Sequence, residues 1–196
     1  MKKNEIIVAL EPVIKAFDEL GILYYVSGSI ASSAYGNARA TLDVDLVLNL
    51  MPQHIQPFID RLQDKYYIDK EMIVDALRTQ SSFNIFHLDT MLKIDIFILK
   101  DKPYSRKAFE RKIKDKLEDD QDTIGIYLCS PEDIILNKLE WYKLGGEVSE
   151  RQWLDILGVI KVQSDNLDKE YLKNWAAQLS VYNLLEEVFT ECNLLL

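Results

Sequence analysis

The sequence predicts an α+β protein, in which a small mixed sheet with flanking helices is followed by a C-terminal helical lobe. Short aliphatic segments with the alternation of strands recur in the first two thirds of the chain. Between them, other segments repeat their apolar side chains at helical spacing. From Ser130 onwards only helical patterns follow, so we divide the chain into residues 1–129 and 130–196.

The individual elements follow from periodicity and from the residues that end each pattern. Helices are expected at residues 4–20, 30–35, 54–62, 70–78, 131–144, 150–162, 168–179 and 181–196. Strands are expected at residues 22–26, 43–50, 83–88, 91–99 and 123–128. Gly21 is placed to end the first helix, and Asp89-Thr90 is placed to turn a hairpin. Ser130 and Ser149 are expected helix caps, and residues 118–122 form an expected polar turn.

Composition is that of a globular chain, with 48% hydrophobic and 28% charged residues among 196. The formal net charge of −9 argues against a general nucleic-acid coat, because such binding needs a basic surface. The two cysteines, Cys129 and Cys192, indicate neither a disulfide scaffold nor a metal spacing. The first residues match neither a signal peptide nor a membrane span, so we expect a cytoplasmic protein with no membrane partner.

Two closely spaced carboxylates, Asp43 and Asp45, give the first indication of a metal-binding site. Asp43 and Asp45 alternate with aliphatic residues, and side chains two apart in a strand share one face. Paired carboxylate oxygens suit hard cations, so we predict magnesium here. Upstream, Gly28-Ser29 precedes a short helix, whose free N–H groups would suit phosphate oxygens. An ordinary strand-ending turn is an equally good interpretation of Gly-Ser by itself.

These residues together resemble the nucleotidyltransferase (polymerase β-like) superfamily. Its pattern is a hydrophobic residue with Gly-Gly or Gly-Ser, roughly a dozen residues, then Asp-hydrophobic-Asp/Glu-hydrophobic. Here thirteen residues separate Gly28-Ser29 from Asp43-Val44-Asp45-Leu46. The preceding Arg39-Ala40-Thr41 is similar to the AbiEii toxin branch of type IV toxin–antitoxin systems. The resemblance implies that residues 1–129 form a catalytic domain, and it adds Arg39 and Thr41 to Gly28 and Ser29 as nucleotide-binding residues.

The resemblance also gives Asp95 a role. By itself, an acid within Ile94-Asp95-Ile96 is better explained as an edge charge or a salt-bridge partner. The superfamily places a third carboxylate in this hydrophobic-Asp-hydrophobic pattern, so the resemblance implies that Asp43, Asp45 and Asp95 bind two magnesium ions. It further implies that Asp95 activates the acceptor hydroxyl or orders the water that does.

Two residues of the helical lobe are implied by resemblance to AbiEii-like sequences, which carry a Lys and then an Asp on successive helices after the sheet. Lys138 would face the phosphates of a nucleoside triphosphate, although a lysine beside an apolar stripe also snorkels to solvent. Asp155 would pair with Lys138, or with Arg151 four residues earlier. The fuller form of this pattern has an acid where Gln152 stands.

Residues 100–116 carry a local charge balance of +5 in an acidic chain. The eight basic residues are Lys100, Lys102, Arg106, Lys107, Arg111, Lys112, Lys114 and Lys116. A solvated surface explains them slightly better than an RNA-binding surface does. The resemblance implies an RNA acceptor such as the 3′ end of a tRNA, and this basic segment is compatible with such a partner.

The function implied is transfer of a nucleoside monophosphate from a triphosphate to a hydroxyl acceptor, with a cognate antitoxin as a further partner. Two alternatives stay open at this point. One is a small-molecule acceptor, as in antibiotic-modifying members of the superfamily. The other is a non-catalytic nucleotide-binding or partner-binding module.

Overall fold

The computed structural model describes residues 5–41, 43–116 and 125–196, so the predicted polar turn at 118–122 and the start of the strand predicted at 123–128 lie outside the described residues. The chain forms two compact units. The first, here called the sheet unit, comprises Met1–Ser27 and Thr41–Leu128. The second, the helical unit, comprises Gly28–Ala40 and Cys129–Leu196.

The described residues contain the following helices and strands. In chain order the helices are α1 (Glu5–Leu20), α2 (Gly28–Tyr35), α3 (Ile55–Leu62), α4 (Lys70–Thr79), α5 (Pro103–Glu110), α6 (Pro131–Leu144), α7 (Glu150–Gln163), α8 (Lys169–Gln178) and α9 (Tyr182–Glu191). The strands are β1 (Leu23–Val26), β2 (Asp43–Asn49), β3 (Tyr66–Tyr67), β4 (Ser82–His87), β5 (Lys93–Ile98), β6 (Ile113–Lys116) and β7 (Gly125–Leu128). Short 3₁₀ turns stand at Pro52–His54 and Ser164–Asn166.

The sheet unit is built on a mixed sheet whose described strands lie in the order β3-β4-β5-β2-β1-β7-β6. Strand β2 is parallel to β5 and β1 is parallel to β7, whereas the other four pairs are antiparallel. The predicted mixed sheet is therefore confirmed. The predicted hairpin is also confirmed, since β4 and β5 pair antiparallel around the turn between them. Strand β3 was not predicted, because two residues are too short to show a period.

One face of the sheet forms the core of this unit. In β2 and β5 every second side chain is buried, including Leu46 and Ile96 at the centre. Helix α1 covers this face with an apolar stripe, and its Phe17 ring lies 5.2 Å from the ring of Tyr24 and 5.6 Å from that of Phe58. The alternation leaves the opposite face of β2 and β5 partly exposed, with polar side chains near the start of both strands and Val47 and Phe97 further along.

The helical unit has the caps that its sequence predicts. Ser130 and Ser149 accept hydrogen bonds from backbone N–H groups in the first turns of α6 and α7, and Asp168 does the same for α8. Helix α2 and the turn after it lie against α7, where a Cβ on Gly36 would be 2.8 Å from backbone atoms of Gly158 and Val159. Only a residue without a side chain allows this approach. Among the described residues, no helix combines the length and the apolar character needed to cross a bilayer.

Candidate active site

The acids predicted from the sequence lie on the polar face of β2 and β5. Asp43 and Asp45 are half-buried, and they alternate with fully buried aliphatic residues. The parallel register places Asp43 opposite Lys93 and Asp45 opposite Asp95. Opposed residues of neighbouring strands project to the same side of a sheet. We call these four residues the carboxylate square; it carries three acids and one lysine.

Lys93 compensates part of the negative charge of the carboxylate square. Its ammonium Nζ lies 2.6 Å from Oδ2 of Asp95. The hydrogen bond to Asp95 raises the pKa of Lys93 above its ordinary value, partial desolvation opposes the rise, and the charges of Asp95, Asp43 and Asp45 add to it. The hydroxyl of Thr41 donates a hydrogen bond of 2.6 Å to Oδ1 of Asp43. Asp95 and Asp43 are thus each bonded to a neighbouring side chain of the same unit.

The donor chemistry of the carboxylate square fits magnesium, since all three acids offer hard oxygen ligands from neighbouring strands. Their present arrangement is not that of a formed metal site. Within residues 5–41, 43–116 and 125–196, no three His, Cys, Asp or Glu side chains are grouped closely enough to hold an ion. Lys93 and Thr41 bond to oxygens of Asp95 and Asp43 that an ion would also use.

In the helical unit, the predicted phosphate-binding residues lie at the start of α2. The helix begins at Gly28, two residues earlier than predicted, and Gly28 has φ of +57°. This left-handed conformation favours glycine, so the residue is required by the backbone itself. Ser29 is buried, and its Oγ accepts a hydrogen bond of 2.5 Å from the Arg39 guanidinium.

Asp155 of α7 joins two cations of the same unit. Arg39 contacts it through two nitrogens, with Nε at 2.8 Å from Oδ1 and Nη2 at 2.9 Å from Oδ2. Lys138 of α6 contacts Oδ2 at 2.8 Å. Of the two pairings considered for Asp155, the structure has the one with Lys138 and adds Arg39. We call Arg39, Lys138 and Asp155 the cation cluster, whose formal charge is +1.

Burial and charge act in opposite directions on Asp155. Burial by itself raises the pKa of a carboxyl group, but the hydrogen bonds and charges of Arg39 and Lys138 outweigh it and leave the pKa of Asp155 lowered. The side chain of Asp155 is only 8% exposed and that of Lys138 only 11%. Both cations are therefore fixed in position by a carboxylate that stays ionised at neutral pH.

Known proteins resemble this chain in fold and not in sequence. No protein-family model and no curated protein sequence matches it. Among solved structures, a nucleotidyltransferase-like antigenic protein from Paracoccidioides brasiliensis matches with a TM-score of 0.57 and 15% identity, covering 96% of this chain and 93% of that one. The chain has a nucleotidyltransferase-like fold.

Two structures of ANT(2″)-Ia support this assignment of the fold. The one in complex with adenylyl-2″-tobramycin has a TM-score of 0.58 at 12% identity and covers 90% of this chain and 98% of that one. The solution structure, described as an antibiotic-resistance factor, has a TM-score of 0.52 at 13% identity and covers 94% of this chain and 97% of that one. At 12–15% sequence identity, these matches show similarity of the fold alone.

The basic segment at residues 100–116 lies on α5 and β6 of the nucleotidyltransferase-like fold. Part of its charge is paired, because Arg106 contacts Asp101 and Lys107 contacts Glu110 at 3.4 Å. The Nζ atom of Lys112 lies 4.5 Å from the centre of the Phe109 ring. All four residues of β6 are exposed, and β6 is the outermost strand of the described sheet on its side. Lysines on such an edge also prevent strand pairing with other chains.

The sequence interpretation of this nucleotidyltransferase-like fold did not include two contacts. Of the two local explanations of Asp95, the structure has the salt bridge and not the edge charge, since β5 lies between two other strands. Lys93 was not named as the partner, although a lysine two residues away in a strand is a local signal. The contact between Arg39 and Asp155 joins residues 116 apart in the chain, and no local pattern could have indicated it.

Proposed function

We propose that this protein is a metal-dependent nucleotidyltransferase, which transfers a nucleoside monophosphate from a nucleoside triphosphate to a hydroxyl acceptor. The observation that carries the proposal is the in-register pairing of Asp45 with Asp95, with Asp43 on the same face of the sheet. The likeness of the fold to that of nucleotidyltransferases supports it.

In the proposed reaction the acceptor oxygen forms a bond to the α-phosphorus, and the bond between that phosphorus and pyrophosphate breaks. The proton of the acceptor hydroxyl passes to Asp95 or to a water that it orders. Two magnesium ions held by Asp43, Asp45 and Asp95 would supply Lewis-acid stabilisation of the charge on the phosphates. Thr41, which already donates to Asp43, would fix the orientation of that ligand.

The remaining nucleotide-binding roles fall to the helical unit. The Ser29 hydroxyl, the backbone N–H groups that begin α2 at Gly28, and the cations Arg39 and Lys138 would bind phosphate oxygens. Asp155 would act as a positioning residue, because it bonds both cations and leaves their cluster with a net positive charge. An arrangement fixed before the substrate binds loses less conformational entropy on binding.

For the acceptor we propose RNA, in particular the 3′ end of a tRNA, as the AbiEii-like pattern of Arg39-Ala40-Thr41 implies. The exposed lysines of β6, Lys114 and Lys116, supply positive charge for such a partner. Because the AbiEii-like pattern is that of toxins in toxin–antitoxin systems, we also propose a cognate antitoxin as a protein partner. A small hydroxyl compound is the second candidate acceptor, since one matching structure contains an adenylylated antibiotic.

The test is a transfer assay with each of the four α-labelled triphosphates, magnesium, and either total RNA or a panel of aminoglycosides. We expect label on RNA in the wild type and a loss of at least about 100-fold in Asp45→Asn and Asp95→Asn. Asp60→Asn is the matched control, because Asp60 is exposed on α3 and bonds only to Gln56 in the described contacts. Label on an aminoglycoside and none on RNA would instead support a small hydroxyl compound as the acceptor.

Two results would contradict the proposal. If a triphosphate binds in a magnesium-dependent way but yields no labelled acceptor and releases no pyrophosphate, the chain is a binding module of this fold. Retention of transfer by Asp45→Asn would show that the carboxylate square is not the reacting site. For the toxin assignment, expression of the wild type is expected to stop growth, whereas expression of Asp45→Asn is not.

A further inference from the structure

Lys93 is an unusual residue for its place in the sheet. Strand β5 lies between β4 and β2, so it is not an edge strand, and lysine is depleted in sheet interiors. The usual reason for a strand lysine, protection of an open edge, therefore does not apply. Its Cα is paired with that of Asp43, and its ammonium is bonded to Asp95. The lysine thus lies among all three acids of the carboxylate square.

We propose that Lys93 competes with divalent cations for the carboxylate square and so sets the metal concentration at which this site fills. The proposal rests on the metal site of the proposed function and adds a residue that controls it. Without metal, the ammonium of Lys93 neutralises one of three neighbouring negative charges. A divalent ion needs the same oxygens, beginning with Oδ2 of Asp95, which now lies 2.6 Å from Nζ.

Displacement of the lysine is physically easy. The Lys93 side chain is 39% exposed, and its flexible four-carbon stem lets the ammonium leave the acids without any change of the backbone. An exposed ion pair is worth little by itself, since water compensates both charges when they separate. The competition therefore shifts the apparent affinity for metal, and it does not block the site.

Removal of the positive charge gives the first test. We expect Lys93→Met to bind Mn²⁺ on the order of tenfold more tightly than the wild type, because a divalent ion no longer meets a cation a few ångströms away. Free Mn²⁺ is measured by electron paramagnetic resonance at low ionic strength. Lys93→Arg keeps the charge and is expected to bind about as the wild type does. Lys107→Met is the matched control, because Lys107 pairs with Glu110 on an exposed surface of the same unit.

A second measurement uses the wild-type protein and depends on no variant. Mg²⁺ or Mn²⁺ is expected to increase the reactivity of Lys93 towards an amine-directed acylating reagent, because the ammonium is released from Asp95. Mass spectrometry of the peptide that contains Lys93 gives the extent, with Lys107 as the internal reference.

The outcomes separate this inference from the function on which it rests. If Asp45→Asn weakens Mn²⁺ binding but Lys93→Met binds no more tightly than the wild type, the competition is wrong and the metal site stands. Unchanged Lys93 reactivity at saturating metal would also overturn the competition. If neither the wild type nor Lys93→Met binds Mn²⁺, both the competition and the metal-dependent function are wrong.

Discussion

Replacement of Asp155 by asparagine is expected to destabilise the protein markedly. The substitution keeps the shape of the side chain but removes the charge that holds two cations. Three close contacts depend on it, at 2.8, 2.9 and 2.8 Å, and the side chain is 8% exposed. An asparagine oxygen can accept at most the two hydrogen bonds now made to Oδ2, and its NH₂ group then faces the third donor. Lys138 then remains largely buried without its counter-ion.

The magnitude follows from the burial of the partners. Loss of one member of a fully buried ion pair costs about 3–5 kcal/mol. The Arg39 side chain is 25% exposed, so water recovers part of its interaction, and we expect a loss of about 2–3 kcal/mol in the free energy of unfolding. For a chain of this length that loss lowers Tm by about 4–12 °C. Urea denaturation followed by circular dichroism measures the first quantity and a thermal scan the second.

Two controls make the result decisive. Glu170→Gln removes an ion pair with Lys173 in the same unit, but Glu170 is 87% exposed and the change is expected to have little effect. Because the pKa of Asp155 is lowered in the folded state, its contribution is present above the ordinary value of 3.8 and is lost as pH falls through the lower folded-state value. The difference between the wild type and Asp155→Asn should therefore shrink below about pH 4. A difference under about 0.5 kcal/mol at pH 7 would refute the cation cluster as a stabilising contact.

Two further stability predictions concern the helical unit, and both are measured by urea denaturation. Gly36→Ala is expected to cost about 1–3 kcal/mol, because the added Cβ lies 2.8 Å from backbone atoms that cannot move aside. Gly125→Ala should cost less, because its Cβ meets the flexible Lys114 side chain at 3.2 Å and the Asp115 carbonyl oxygen only at an ordinary contact distance of 3.8 Å. Ser130→Ala is expected to cost about 1–2 kcal/mol, because Ser130 caps α6 and donates to the fully buried Asp133 at 2.6 Å. Ser149→Ala removes a less buried cap at 3.4 Å and should cost less; an equal or larger cost would contradict the reasoning.

Much of the fold was predictable because its signals are local. The alternation of Asp43 and Asp45 with aliphatic residues predicted the two faces of β2, and the structure has this alternation in full. Ser130 and Ser149 identified the starts of two helices, since a cap satisfies N–H groups only three residues away. The start of α2 was placed two residues late, because Gly28 was assigned to the turn and not to the helix.

The candidate site was predictable as a set of residues but not as a set of contacts. A resemblance carried by Gly28-Ser29 and Asp43-Val44-Asp45 selected Asp95, and the sheet then paired Asp95 with Asp45. The roles proposed for these acids, for Ser29 and for Lys138 stay predictions until the transfer assay is done. The functions implied for residues 1–129 and 130–196 are likewise predictions.

The alternation of residues, the caps of helices and the face that acids share can be predicted from the chain alone, because these properties depend on neighbours within a few positions. Packing selected Lys138 over Arg151 as the partner of Asp155, added Arg39, and joined Gly28–Ala40 to the helical unit. The reason is that the partners of a buried charge are selected by the packing of elements far apart in the chain. A single sequence carries no local signal for that packing.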